Sequence, residues 1–431
     1  MHQSLTTLVL GLSIGVIGCG SSAPATPGSG GSGGAATSTG GRSSGGSSAG
    51  GSAAGGSASG GTATGGMATG GTAGGGTATG GTATGGTATG GNASGGAAAG
   101  GRAGGGAAST GGSPGSGGGA GTGSGSAVVP SKGCSVKDGA KTLTTGGMSV
   151  ANGLPTSTRL KITSGGSSRE YIIDIPADYD PTHPYRLIFS WHQAYGSDTG
   201  NAVGQYPAGN GPNFDAKNYA YFGLQREATA AKQPAIFVAP AGIGNLPWDF
   251  KRDSVLFDDL LASIDANLCI DDSRVFTTGF SFGAMMSYAL SITRQTKLRA
   301  AVTMAAANYN LPGEPTDSNA APIAYMGITG MSDGTCPWVG NDAAKQGGKY
   351  CVLAHAEDNG CKIPGNIQTT TVGSKKYLCY DFEGCKAGYP VKVCTFDGAH
   401  TPSAVDDGTS TGDDGLKAFV PPLAWKFIAQ F

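Results

Sequence analysis

Apolar and polar positions are distributed very unevenly along this chain, and the contrast divides it into three. Leu5–Ile17 is a short apolar run, too brief to cross a bilayer as a resident helix. From Gly20 to Ala127 there is almost nothing except Gly, Ala, Ser and Thr, and no apolar face that packing could bury. From Ser131 onward the pattern becomes that of a folded domain. Arg159–Thr163 and Arg169–Ile175 read as strands joined through Ser164–Ser168, a predicted hairpin. Tyr185–Trp191 and Ala235–Ala239 are continuous apolar strands, followed later by Arg299–Ala305 and Ile323–Ile328. Tyr219–Lys232 has helical spacing, and Ser254–Leu268 places Leu256, Leu260, Leu261 and Ile264 on one helical face. Lys376–Phe382 and Val391–Phe396 are the last predicted strands, and a helix near Leu423–Gln430 closes the domain. Strands alternating with helices, several of them apolar on both faces, predict an α/β fold with a mostly parallel sheet covered on both sides.

Composition sharpens the division. The segment before the folded domain carries only Arg42 and Arg102 as charges, and from Arg42 to about Gly106 it repeats every five residues, most clearly as Thr-Ala-Thr-Gly-Gly between Thr77 and Gly91. It cannot bury enough apolar surface to offset its chain entropy, so a disordered tether is predicted. A Gly-rich coil of that length has an r.m.s. span of roughly 55 Å. The expected organisation is a signal peptide at residues 1–18, a linker at 19–130 and one domain at 131–431. Val16-Ile17-Gly18-Cys19 resembles a bacterial lipobox, which would make Cys19 a lipidated mature N-terminus, although the residues before the apolar run include no Lys or Arg. An extracellular or cell-surface protein is expected, held at a membrane only by that anchor. With 27 basic and 28 acidic side chains intermixed, no basic surface argues for a nucleic-acid partner.

Setting Cys19 aside leaves eight cysteines: Cys134, Cys269, Cys336, Cys351, Cys361, Cys379, Cys385 and Cys394. An even number in an exported chain predicts up to four disulfides. No Cys-x-x-Cys pair is present, so zinc ligation is disfavoured and no metal site is expected.

The stretch richest in chemistry is Arg274–Met285, an apolar strand, then Gly279-Phe280-Ser281-Phe282-Gly283, then a helix from Phe282. A strand-to-helix turn of the form Gly-x-Ser-x-Gly is a nucleophile elbow, whose glycines let backbone pass close on both flanks. The helix N-terminus would set the Phe282 N–H near an oxyanion formed at Ser281.

A serine hydroxyl needs a base. His183 and His355 read most simply as surface residues, and His192 as a packing or loop-ordering residue at a strand end. His400 follows the strand Val391–Phe396, where ligands bind in an open α/β sheet, and it comes after Ser281 in the chain. Asp333 follows the strand Ile323–Ile328 and is the preferred acid over Asp317, Asp342 and Asp358. The second oxyanion donor is expected just after His192, with Ala194 preferred to Gln193. Trp248, Trp338 and Tyr195 lie in loops and could stack a phenolic ring or a sugar, or simply pack.

From about Gly133 to the C-terminus the chain resembles the secreted feruloyl esterases of carbohydrate esterase family one, close to polyhydroxybutyrate depolymerase-like enzymes. The matching stretches are Tyr-Arg-Leu-Ile-Phe-Ser-Trp-His at 185–192, the segment 267–288 around the elbow, Asn-Gly-Cys at 359–361 and Phe-Asp-Gly-Ala-His-Thr-Pro at 396–402. The resemblance implies an α/β-hydrolase fold with Ser281 as nucleophile, Asp333 as acid and His400 as base. It implies release of hydroxycinnamic acids such as ferulate from plant cell-wall polysaccharide by two-step acyl transfer, without a cofactor. It also implies Cys134–Cys269 and Cys361–Cys385 bridges. Pairing Cys379 with Cys394 across neighbouring strands, and Cys336 with Cys351, would use the remaining cysteines. Acetylated xylan or an aliphatic polyester are alternative substrates. An inactive, surface-tethered polysaccharide-binding lipoprotein is the alternative from another class.

Overall fold

The computed structural model describes residues 127–151, 153–204, 216–315, 318–405 and 417–431. The expected signal peptide, the Cys19 lipidation site, the linker up to residue 126 and Asp317 lie outside the described residues. The strands are β1 Met148–Ser149, β2 Ser157–Ser164, β3 Ser167–Asp174, β4 Tyr185–Trp191, β5 Ala235–Pro240, β6 Ile270–Phe280, β7 Ala300–Met304, β8 Ala324–Gly330, β9 Tyr377–Asp381 and β10 Val391–Phe396. The helices are α1 Gly139–Thr144, α2 Asp198–Ala202, α3 Ala216–Tyr219, α4 Leu224–Ala230, α5 Phe250–Asn267, α6 Phe282–Ser291, α7 Gly348–Asp358 and α8 Val420–Ala429.

The strands form one sheet in the order β1-β2-β3-β5-β4-β6-β7-β8-β10-β9. Neighbours from β5 through β10 are parallel, while β1, β2, β3 and β9 pair antiparallel at the two margins. Every residue of β5, β7 and β8 is buried, so the centre of the sheet is covered on both faces. That explains why these strands are continuous apolar runs rather than alternating ones. The architecture is the α/β-hydrolase fold, with the carboxyl ends of β4, β5, β6, β7, β8 and β10 at a single edge. Helix α5 begins where Asp249 caps it, its side chain accepting from the Arg252 N–H at 3.1 Å. It then buries Leu256, Leu260 and Ile264 as the spacing predicts, with Phe257 added.

Three expectations are corrected. The helix predicted over Tyr219–Lys232 is broken: α3 and α4 flank a 3-10 turn, Ala220–Gly223, in which Tyr221 and Phe222 have φ of 53° and 57°. Tertiary packing outweighs helical spacing there. Tyr221 is fully buried and its hydroxyl donates to Asp174, while a Cβ on Gly223 would meet Pro421 of α8 at 2.8 Å. His355 is not a surface residue; it is fully buried, stacked on Tyr325 with ring centroids 4.0 Å apart, and bonded through Nε2 to Ser291 Oγ at 2.9 Å. The inward face of α7 carries it into the core.

The cysteines also pair differently from the expected scheme. Cys134–Cys269, Cys361–Cys385 and Cys379–Cys394 are disulfides, the last joining residues directly opposite in β9 and β10. Cys336 and Cys351 are instead free and buried. Each fills a different apolar cluster, Cys336 in the main core and Cys351 with Ala284, Tyr288 and Tyr325, so they act as small hydrophobes. Three disulfides fit an extracellular protein. Alkylation in guanidinium without reductant, followed by peptide mapping, is expected to label Cys336 and Cys351 and to spare the six bridged cysteines. A Cys336–Cys351 cross-linked peptide would contradict this arrangement.

Candidate active site

Ser281 stands between β6 and α6 with φ 56° and ψ −121°. A non-glycine residue is held there only when its surroundings over-determine it. The Ser281 N–H donates to Met304 O at 3.0 Å and its carbonyl accepts from the Met285 N–H at 3.0 Å. The flanking glycines have a steric cause. A Cβ at 279 would lie 2.4 Å from Gly283 O, and one at 283 would lie 2.0 Å from Trp191 O.

His400 Nε2 lies 2.8 Å from Ser281 Oγ, and His400 Nδ1 lies 2.7 Å from Asp333 Oδ2. The Asp333 side chain is fully buried, and its other oxygen accepts from the N–H groups of Thr335 and Cys336, each at 2.8 Å. With Oδ1 committed to the backbone, Oδ2 is left to face the histidine. The turns bearing the two residues are tied together: Met331 N–H donates to Phe396 O at 2.8 Å and Ser332 N–H to Gly398 O at 2.9 Å. Gly330 permits that approach, since a Cβ there would be 2.4 Å from Ala399 O. The Phe280 ring packs on the imidazole with centroids 4.6 Å apart.

The loop after β4 is ordered by His192. Its Nδ1–H donates to Gln193 O at 2.9 Å, and its Nε2 accepts from the Gly242 N–H at 3.1 Å. Trp248 donates through Nε1 to His192 O at 2.7 Å and packs on the imidazole. Burial pushes His192 down to about 4, so it bridges the loops as a neutral ring. Among the described residues, neither the Phe282 N–H nor the Ala194 N–H has a hydrogen-bond acceptor. Of the loop aromatics, Trp248 is buried, Trp338 half-buried and Tyr195 exposed. Asp342 lies on an exposed loop bonded to Tyr350, and Asp358 ends α7.

Cys336 was not foreseen as part of this site. Its N–H holds Asp333, and burial pushes its thiol up, with Asp333 adding to the rise and a hydrogen bond to Ser281 opposing it. The sequence cue was Asp333-Gly334-Thr335-Cys336, in which an aspartate can accept from the N–H groups two and three residues on.

No family model matches the chain. Feruloyl esterase D of Neurospora crassa is 30% identical over 307 residues, covering 71% of this chain and 92% of its own. A probable feruloyl esterase C of Aspergillus terreus is 32% identical over 296 residues, covering 68% and 92%. A solved ferulic acid esterase is similar over 64% of this chain and 98% of its own, at 13% identity and a TM-score of 0.40. The protein is a carboxylic ester hydrolase. Within that class the chain belongs to the feruloyl esterase family.

His355 offers a stability test. Burial pushes it down to about 3, whereas an unfolded histidine titrates near 6.5. Between these values the unfolded chain binds more protons, so this contribution is complete above about 6.5 and is lost as pH falls toward 3. Half-buried Glu314, pushed up to about 8, acts in the opposite sense, so the useful quantity is a difference. The loss of unfolding free energy between pH 7 and pH 5 is expected to be about 2 kcal/mol smaller in His355→Gln than in the wild type. Equal losses in urea titrations would contradict a neutral, buried imidazole.

Proposed function

We propose that this protein hydrolyses feruloyl and related hydroxycinnamoyl esters of plant cell-wall polysaccharide through an acyl-enzyme on Ser281. The observation that carries the chemistry is the continuous chain Asp333–His400–Ser281, with contacts of 2.7 and 2.8 Å. The names of the relatives support the choice of acyl group.

In this mechanism His400 Nε2 takes the Ser281 hydroxyl proton as Oγ attacks the ester carbonyl carbon. The Phe282 and Ala194 N–H groups receive the negative oxygen. Collapse breaks the bond to the sugar oxygen, which leaves with the proton held by His400. Water then yields a proton to His400, attacks the acyl carbon and releases the carboxylic acid, restoring the serine. Asp333 keeps Nδ1 protonated, so that Nε2 is free to accept. We further propose that residues 1–18 direct export, that Cys19 carries lipid, and that the linker holds the domain away from the membrane surface.

Kinetics on methyl ferulate, acetylxylan and short hydroxybutyrate oligomers test the reading. Methyl ferulate is expected to be the best substrate. Ser281→Ala is expected to lower its kcat by a factor on the order of 10⁴ or more. Hydrolysis of none of the three, or full activity in Ser281→Ala, would refute it.

A further inference from the structure

The sheet order divides the surroundings of Ser281 into two halves. Strands β7, β8 and β10 lie on one side of β6, and β4 and β5 lie on the other. Asp333 and His400 follow β8 and β10, so the proton donor for the departing sugar oxygen comes from the first half. A leaving group must sit within reach of His400 Nε2. The half built by the loops after β4 and β5 is therefore left to the acyl group.

Those two loops are joined. The Tyr195 N–H donates to Asn245 O at 2.7 Å, and Ile243 N–H to Pro247 O at 3.1 Å closes a turn through Gly244, whose φ is 75°. Across residues 192–197 and 241–248 there is no charged side chain. The same short stretches expose three large apolar residues: Tyr195 at 55%, Ile243 at 51% and Leu246 at 60%. Large apolar side chains exposed together on two hydrogen-bonded loops are a binding surface more often than an accident. Tyr195 adds an independent reason. Its φ is 58°, a conformation that favours glycine, yet its ring is not buried, so neither backbone preference nor core packing accounts for a tyrosine there.

The geometry points to Tyr195, with Ile243 and Leu246, as the platform that receives the aromatic ring of the acyl group, and so as the determinant of hydroxycinnamoyl over short aliphatic esters. A flat, neutral ring with one polar end suits an uncharged surface of one aromatic and two aliphatic side chains. This rests on the feruloyl-ester reading above.

The test uses the full chain and Tyr195→Gly, which removes the ring while allowing the same backbone angle, beside Tyr195→Phe. In Tyr195→Gly the ratio of kcat/KM for methyl ferulate to that for 4-nitrophenyl acetate is expected to fall about tenfold, chiefly through KM. The inhibition constant of free ferulate should rise by a similar factor. Tyr195→Phe should keep the wild-type ratio. An unchanged ratio in Tyr195→Gly, or a parallel loss on both esters, would overturn the assignment. So would weakened inhibition by a xylo-oligosaccharide with ferulate unaffected, which would place the sugar there instead. A wild-type enzyme inert to methyl ferulate would sink the substrate reading first, and the platform with it, before any variant was compared.

Discussion

The arrangement at this edge of the sheet depends on one part-buried contact, the hydrogen bond from His400 Nδ1–H to Asp333 Oδ2. An ionised carboxylate removed from water is costly unless every oxygen is satisfied. Here Thr335 and Cys336 supply N–H groups to one oxygen and the imidazole answers the other. The same contact fixes the ring so that its second nitrogen faces Ser281. The satisfaction of a buried carboxylate and the orientation of the imidazole toward Ser281 are thus a single feature. Remove the carboxylate and the imidazole loses both its orientation and its tautomer.

Around this contact, close backbone approach is the recurrent device. Gly279 and Gly283 let β4, β6 and α6 converge at the serine, and Gly330 lets the turn after β8 touch the turn that carries His400. Each position excludes a Cβ by a wide margin, so the loops are set against one another by contact rather than by long side chains. His192 does the corresponding work on the other side, joining the loops after β4 and β5 through both ring nitrogens. The two halves of the sheet therefore approach Ser281 as separately braced units.

Much of this was legible in the residues. The run Val391–Phe396 is β10 to the residue, and the Gly-Phe-Ser-Phe-Gly turn lies between β6 and α6 as its pattern requires. The predicted strands and the chain order placed Asp333 and His400 just past strand ends, and both are brought to Ser281. What escaped was whatever depended on contacts distant in sequence. The bend through Tyr221 answers to Asp174 and to Pro421, neither of which marks local spacing. The burial of His355 is set by Tyr325 and Ser291 on other elements. Cys336 and Cys351 could be counted as an even pair, yet each is free and fills its own apolar cluster.

The central claim is that the ester carbon bonds transiently to the elbow oxygen. Acid quenching during turnover of methyl ferulate, followed by proteolysis and mass spectrometry, addresses it directly. A feruloyl adduct on the peptide containing Ser281, lost on longer incubation, is the expected result. Turnover that proceeds with no adduct at any quench time, or with the adduct on another residue, would contradict it.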